Sequence, residues 1–219
     1  MPLYQYRKDP FERTFLFIHV PKTGGTAIET FFRGVGLAGY FDPPAYAPVR
    51  PYIKVPPAHY DYEVLSRLFE LDRLYSFAIV RDPVRRMVSQ YKWAAEKSTQ
   101  AETIAKMDFG SFLRLMFAEY RRDENVAAGH FKPQVRFVGA KVTKIFRYEA
   151  GLETIIRQVL EDVGFKPQGE LRLPMVNTSS ARKVEPTAAD IALIRDVYAE
   201  DCKAFGYDAG PPPNDAMKA

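Results

Sequence analysis

The stretch Thr14-Phe-Leu-Phe-Ile-His-Val-Pro-Lys-Thr-Gly-Gly-Thr26 decides how this chain folds. Its first part, residues 14–20, is mostly apolar, aromatic or β-branched, which predicts a short strand buried on both faces. Pro21 has no N–H to donate to a neighbouring strand and is expected to end this one. In residues 27–33 the apolar side chains then recur at helical spacing. The stretch therefore predicts a strand, a glycine turn and a helix in succession.

The turn itself has the features of an anion-binding loop. Gly24 and Gly25 permit backbone conformations that residues with a Cβ resist. The N–H groups at the start of a helix attract negative charge, and Lys22 adds a full positive charge beside them. The NTPase pattern Gly-x-x-x-x-Gly-Lys-Ser/Thr is absent from the sequence, because here the lysine precedes the glycines. The first hypothesis is a phosphate-binding loop of another kind.

A second strand, predicted for residues 74–80, leads directly into another basic motif. Asp82 and Pro83 are typical of the N-cap and first turn of a helix, which is predicted to continue to about Lys97. Arg81 would then lie at the carboxyl end of a parallel strand, where open α/β sheets bind their ligands. Its planar guanidinium can donate two hydrogen bonds to one phosphate.

Strands and helices alternate along the rest of the chain, which predicts an α/β fold with a parallel sheet flanked by helices. A third strand is expected at 141–148, helices at 152–163 and 187–204, and a loop at 98–108. The 219 residues, with 47% hydrophobic and 26% charged side chains, suit a single domain over 1–219. Within it, residues 1–13 are expected to be a polar lead-in and residues 209–219 a flexible tail.

Charge and cysteine usage narrow the classes of function. The net charge of +4 suits an acidic ligand but is too small to indicate nucleic acid. The single cysteine, Cys202, excludes an intrachain disulfide and indicates a reducing compartment. The sequence shows neither a signal peptide nor an apolar run near the ~20 residues of a membrane span. A soluble, cytoplasmic protein is therefore expected.

The two motifs together resemble those of sulfotransferases that use 3′-phosphoadenosine 5′-phosphosulfate (PAPS). Ile18-His-Val-Pro-Lys-Thr-Gly-Gly-Thr26 is similar to their 5′-phosphosulfate loop, above all in carbohydrate sulfotransferases such as the heparan sulfate 2-O-sulfotransferase group and its bacterial relatives. Arg81-Asp-Pro-Val-Arg-Arg-Met-Val-Ser-Gln-Tyr91 is similar to the 3′-phosphate motif Arg-Asp-Pro-x-x-Arg-x-x-Ser-x-Tyr at every fixed position. The resemblance implies a P-loop-like three-layer fold with a central parallel sheet flanked by helices.

The resemblance also implies that the donor is bound at both ends. The contacts implied at its 5′ end are Lys22, Thr23, Gly24, Gly25, Thr26 and Ala27. Those implied at its 3′ end are Arg81, Ser89, Arg182 and Lys183, the last two from a late loop that resembles the family's nucleotide-closing loop. The acceptor is implied to be a hydroxyl, expected to belong to a carbohydrate. No metal is implied.

In the implied reaction a sulfuryl group moves from PAPS to the acceptor hydroxyl by in-line attack, while Lys22 stabilises charge on the leaving phosphate. His59 stands where the family places its proposed base, although this chain has Ala58-His59 where the family often has Gly-His. Glu29 and His130 are the next candidates for the base. His130 is also implied to contact the acceptor, as is Gln134.

Two other functions agree with the same residues. One is a P-loop-like kinase that uses ATP, although the chain lacks the usual lysine placement. The other is a non-catalytic module that binds nucleotides or acidic glycans. The proline-rich residues 40–57, with their interleaved aromatic side chains, are either a surface connection or a wall of the acceptor site. The acceptor's identity and the oligomeric state stay open.

Overall fold

The computed structural model describes residues 3–5, 14–41, 52–167 and 183–208. The chain divides into two compact units. One consists of Met1–Val80 and Arg136–Asn177, and the other of Arg81–Val135 and Thr178–Ala219. Each unit has a hydrophobic core of its own.

Eight helices are present in the described part of the chain. They are α1 (Gly25–Gly34), α2 (Tyr62–Leu68), α3 (Pro83–Lys97), α4 (Ala101–Ala105), α5 (Phe109–Arg122), α6 (Leu152–Asp162), α7 (Ala188–Val197) and α8 (Ala199–Phe205). A further single turn, Val126–Gly129, is not a regular helix, because Ala127 and Ala128 have positive φ angles of 49° and 59°. Among these described helices, none is both long enough and apolar enough to cross a membrane.

The first unit contains one mixed sheet, formed by five strands among the described residues. They are β1 (Leu3–Gln5), β2 (Thr14–Ile18), β3 (Ala38–Tyr40), β4 (Tyr75–Val80) and β5 (Lys144–Arg147), in the spatial order β3-β1-β2-β4-β5. Strands β2, β4 and β5 are parallel, whereas β1 runs antiparallel to both β2 and β3. The three predicted strands are therefore confirmed as a parallel centre, and an antiparallel edge extends the sheet beyond it.

Both faces of β2 are buried, as its composition predicts. Phe15 and Phe17 lie in the cluster formed with α1 and α6, and Leu16 and Ile18 lie in the cluster formed with α2 on the other face. All four side chains are at most 1% exposed. Because successive strand residues point to opposite faces, this alternation gives the first unit its helix–sheet–helix layering and confirms the α/β class.

The second unit is helical. Its core lies between α3, α5 and α7 and includes Met87, Tyr91, Phe112, Phe117 and Ile194. The starts of the three helices are capped by side chains that accept hydrogen bonds from the backbone. Asp82 accepts from the Arg85 N–H at 2.9 Å, Asp108 from that of Ser111 at 2.8 Å and Thr187 from that of Asp190 at 3.2 Å. The predicted cap at Asp82 is confirmed.

Three expectations about helices were wrong. The predicted loop at 98–108 contains the short helix α4, and the predicted helix at 187–204 is interrupted at Tyr198, whose φ and ψ angles are −111° and 33°. The helical spacing of Phe112, Leu115 and Met116 predicts that they face the core, but Leu115 is 41% exposed, and α5 turns Phe112, Leu113 and Phe117 inward. Helical spacing does not distinguish adjacent apolar side chains, and single exposed leucines are common on protein surfaces.

The lead-in also proves to contain part of the sheet. Tyr4, at the centre of β1, is fully buried. Its ring centroid lies 4.7 Å from that of Phe32 and 5.4 Å from that of Phe15. A strand of three residues is too short to show a period in the sequence, which explains why residues 1–13 read as a polar lead-in.

Replacing Tyr4 by Ala tests whether β1 is part of the folding unit. Loss of this buried aromatic side chain should lower the free energy of unfolding by about 3–5 kcal/mol, measured by urea denaturation. Tyr52→Ala is the control, since that side chain is 88% exposed, and it should leave stability unchanged. Equal urea concentrations at the midpoint of unfolding for the two variants would contradict the role given to β1.

Candidate functional site

The loop between β2 and α1 is held in a strained turn. Lys22 has a φ of 69° and Gly24 a φ of 86°. The left-handed region costs a residue with a Cβ roughly 1–2 kcal/mol, so the lysine is held there by its surroundings. The buried Thr23 hydroxyl donates to the Val20 carbonyl at 2.8 Å, which closes the turn from within.

The helix that follows this turn begins with backbone donors directed away from the helix. The Gly24 carbonyl accepts hydrogen bonds from the N–H groups of Ala27, at 3.0 Å, and Ile28, at 3.3 Å. The N–H groups of Gly25 and Thr26 come before these bonds and have no partner within the helix. Helix α1 has neither a side-chain cap nor an acidic residue in its first turn. This end of α1 is therefore suited to an anion.

Both glycines are required by close packing. A Cβ on Gly25 would lie 2.2 Å from Nε2 of His19. A Cβ on Gly24 would lie 2.7 Å from Cδ1 of Leu152, and the positive φ at that position disfavours any other residue. The predicted glycine turn thus serves two purposes, since it allows the backbone to bend and lets the His19 ring approach the start of the helix.

His19 is the residue of this site that the sequence analysis missed. Its Nδ1 lies 2.7 Å from Oε1 of Glu29, and the two residues are only 8% and 3% exposed. Burial by itself would raise the pKa of Glu29, but the charge and hydrogen bond of His19 outweigh it, so the pKa lies below its usual value. The signal available in the sequence was a polar residue at the carboxyl end of a buried parallel strand, where such sheets bind ligands.

His59 lies beside His19. It ends a single 3₁₀ turn, Pro57–His59, and is half-buried. The two imidazole rings are 5.2 Å apart between centroids and nearly perpendicular, at 88°. The His19 ring therefore packs against both the predicted base, His59, and Gly25 of the predicted loop. Glu29, the alternative base, is buried and bonded to His19.

Two further predicted residues, Arg81 and Ser89, belong to the second unit and are half-buried there. Arg81 precedes the N-cap of α3, and Ser89 lies within that helix. The Arg81 backbone is held by the side chain of Gln134. The Arg81 N–H donates to Oε1 of Gln134 at 2.8 Å, and Nε2 of Gln134 donates to the Arg81 carbonyl at 2.8 Å.

The residues predicted to contact the acceptor from the second unit are buried. Gln134 is fully buried, and both ends of its amide bond to the Arg81 backbone. His130 is 7% exposed, with Nδ1 2.8 Å from Oε1 of Gln90 and its ring centroid 5.1 Å from that of Trp93. These contacts give no support to an acceptor role for Gln134 and instead assign its amide to the chain itself.

The late basic pair is only partly described. Lys183 is exposed, and its Nζ lies 2.7 Å from Oε1 of Glu185, a bond that raises the pKa of the lysine. Arg182 lies outside the described residues, as do residues 42–51 of the proline-rich stretch. In the ranges that are described, no group of three or more His, Cys, Asp or Glu side chains could hold a metal ion.

The buried pair predicts a pH dependence of stability. Because the pKa of Glu29 is lower in the folded protein than its ordinary value of 4.5, the charged form stabilises the fold above pH 4.5. That contribution is lost as the pH falls through the folded-state pKa. Glu29→Gln should lower the free energy of unfolding at pH 7 by about 1–3 kcal/mol and flatten its decline in acid, as measured by denaturation between pH 3 and 7.

Glu63→Gln provides the matched control. Glu63 is paired with Arg67 at 2.7 Å, but the two side chains are 63% and 76% exposed, so its loss should change stability by no more than about 0.5 kcal/mol. If the free energy of unfolding falls equally in acid for the two variants, the His19–Glu29 pair does not stabilise the fold above pH 4.5.

Comparison with known proteins supports one assignment. Residues 8–208 match the model of the sulfotransferase family. The searches of curated proteins and of solved structures returned no match. The family match covers nearly the whole chain, including the loop after β2, His59 and the motif that begins at Arg81. This chain belongs to the sulfotransferase family, whose members transfer a sulfuryl group to an acceptor.

Proposed function

We propose that this protein transfers a sulfuryl group from PAPS to a hydroxyl group of a carbohydrate. One observation supports this more than any other. The first turn of α1 has neither a side-chain cap nor an acidic residue, and the helix begins three residues after Lys22. The His19 ring packs on this helix start, and a second imidazole, His59, lies beside that ring. An anion site and a base candidate are the two parts that such a transfer needs.

Lys22 and the loop amides are assigned to the 5′ end of the donor. The N–H groups of residues 23–26 would hold the phosphosulfate, because the helix start favours negative charge. Lys22 would stabilise the charge that grows on the phosphate oxygen as the bond to sulfur breaks. The exposed hydroxyl of Thr26 is available for a further bond to the phosphate. The donor supplies the sulfuryl group, and the scheme needs no metal.

The residues of the second motif are assigned to the 3′-phosphate of the donor. Arg81 and Ser89 occupy the fixed positions of that motif, and a guanidinium binds phosphate with two parallel hydrogen bonds. Arg182 and Lys183 are assigned to the same end by their likeness to the family's late loop. Binding of the 3′-phosphate would orient the donor before the reaction, which lowers the entropic cost of reaching the transition state.

His59 is assigned as the base that takes the proton of the acceptor hydroxyl. An imidazole is suited to this task, because its unperturbed pKa of about 6.5 allows it to accept a proton near neutral pH. His19, itself bonded to Glu29, packs against one side of the His59 ring. The aromatic residues Tyr40, Phe41 and Tyr52, which are 50%, 46% and 88% exposed, are candidates for stacking on sugar rings.

The competing function, a kinase that uses ATP, is distinguished by nucleotide binding. Adenosine 3′,5′-bisphosphate and ATP differ in where their phosphates lie, and only the bisphosphate has the 3′ group that Arg81 is proposed to bind. Calorimetric titration should show clearly tighter binding of the bisphosphate. A preference for ATP that depends on Mg²⁺ would favour the kinase. Weak binding of both, abolished by salt, would favour a non-catalytic module that binds anions.

Lys22→Ala should lower the rate of sulfuryl transfer by about 10²–10³-fold, because the leaving phosphate loses its compensating charge. The rate is measured with labelled PAPS and a panel of carbohydrate acceptors. Lys203→Ala, which removes an exposed lysine near the end of α8, controls for the loss of one positive charge and should be fully active. Activity of Lys22→Ala close to that of the unmodified protein would contradict the assigned role.

His59→Ala should reduce kcat by about 10²–10⁴-fold while the affinity for adenosine 3′,5′-bisphosphate stays within about twofold. The base acts on the acceptor, so its removal affects the chemical step rather than donor binding. The comparison variant is His59→Gln, which keeps a polar side chain but cannot act as a base near neutral pH. Full activity in either variant would assign the base to another residue.

A further inference from the structure

The segment before and after residue 134 is held by a chain of buried polar contacts within the second unit. The N–H groups of Gln134 and Val135 donate to the two carboxylate oxygens of Asp201, each at 2.9 Å. Arg86 donates from Nη2 to the Lys132 carbonyl at 2.9 Å. Asp201, Gln134 and Arg86 are all fully buried. The backbone of this segment is therefore held at three residues, Lys132, Gln134 and Val135.

Arg86 is held in turn by an aromatic ring. Its guanidinium carbon lies 4.9 Å from the ring centroid of Tyr198, and the Tyr198 hydroxyl donates to the Phe131 carbonyl at 3.0 Å. Burial raises the pKa of Asp201, while the charge of Arg86 and the two backbone N–H groups act in the opposite direction. Burying polar and charged groups costs desolvation free energy. Because several of them bond to the same short segment, we infer that the position of this segment matters.

Within the fixed segment, the side chain of Gln134 contacts Arg81. The Gln134 amide bonds to both the N–H and the carbonyl of Arg81 at 2.8 Å, as a neighbouring strand would. On the following residue, the Asp82 carboxylate caps α3 by accepting the Arg85 N–H at 2.9 Å. The backbone that carries the Arg81 guanidinium is thus constrained at Arg81 itself and at the residue after it.

We propose that Gln134 is a positioning residue for the donor's 3′-phosphate, acting through the backbone of Arg81, with Asp201 and Arg86 as its support. The inference rests on the proposed function, since it requires that Arg81 bind that phosphate. A phosphate contact made by a preorganised arginine is stronger than one that must first order the chain. Gln134 therefore contributes to donor selection without contacting the donor.

The test compares two nucleotides that differ only in the 3′-phosphate. Affinities for adenosine 3′,5′-bisphosphate and adenosine 5′-phosphate are measured by calorimetry, and their ratio isolates the 3′ contact. In Gln134→Leu this ratio should fall by about tenfold or more, while the affinity for adenosine 5′-phosphate changes by less than about twofold. Gln90→Leu is the matched control, because Gln90 is also buried in this unit but bonds to His130; its ratio should stay unchanged.

Two further variants keep the test decisive if Gln134→Leu does not fold. Gln134→Glu retains an oxygen that accepts the Arg81 N–H but loses the donor to the Arg81 carbonyl. Asp201→Asn weakens the support of Gln134 from the other side. Both should lower the ratio, in proportion to faster hydrogen exchange of the Arg81 amide. An unchanged ratio in a folded Gln134 variant would overturn the inference.

The two proposals fail in different ways. If the unmodified protein does not distinguish adenosine 3′,5′-bisphosphate from adenosine 5′-phosphate, the assignment of the 3′-phosphate to Arg81 is wrong, and the inference falls with it. If the unmodified protein prefers the bisphosphate and the Gln134 variants keep that preference, only the positioning role is wrong.

Discussion

The hydrogen bond between His19 and Glu29 is the interaction on which the first unit's site depends. It joins the residue after β2 to the second turn of α1, across the loop that contains Lys22. The His19 ring then fills the space above Gly25, which is why that position has no room for a Cβ. The loop is therefore enclosed by a strand end, a helix start and a buried side-chain pair. Its shape is set before any ligand binds.

The second unit fixes the residue after a strand by the same physical means, although it uses different side chains. There the amide of Gln134 holds the Arg81 backbone, and the Asp201 carboxylate holds Gln134. In both cases a buried polar group makes short bonds at the point where apolar packing ends and a loop begins. Apolar contacts are not directional, so they cannot orient a peptide group. Hydrogen bonds can, and this explains why costly polar groups are buried here.

A feature can be predicted from the sequence when the residues that determine it lie close together along the chain. The strands at 14–20 and 74–80 and the helix that starts at Pro83 follow from local patterns, and the structure contains all three. Strand β1 was missed because its burial depends on Phe15 and Phe32, well removed along the chain. The buried contacts of His19 and Gln134 were not foreseen for the same reason. Their hydrogen-bond partners lie 10 and 53 residues away along the chain, and no local pattern encodes such a pairing.

The backbone of Lys22 lies within this fixed geometry and has an unusual conformation. A positive φ is unfavourable for lysine, and glycine or asparagine would adopt it at lower cost. Loops that need only a turn have no reason to place a long cation there. The strain persists because the Thr23 hydroxyl and the packing of Gly24 and Gly25 determine the turn on either side. In the proposed reaction, the fixed backbone would limit the reorganisation that Lys22 needs to meet the developing negative charge, and preorganised charges of this kind account for much of the rate enhancement of many enzymes. The fixed backbone of Lys22 is therefore consistent with the role proposed for it at the leaving phosphate, because a residue that is already ordered need not be ordered during the reaction.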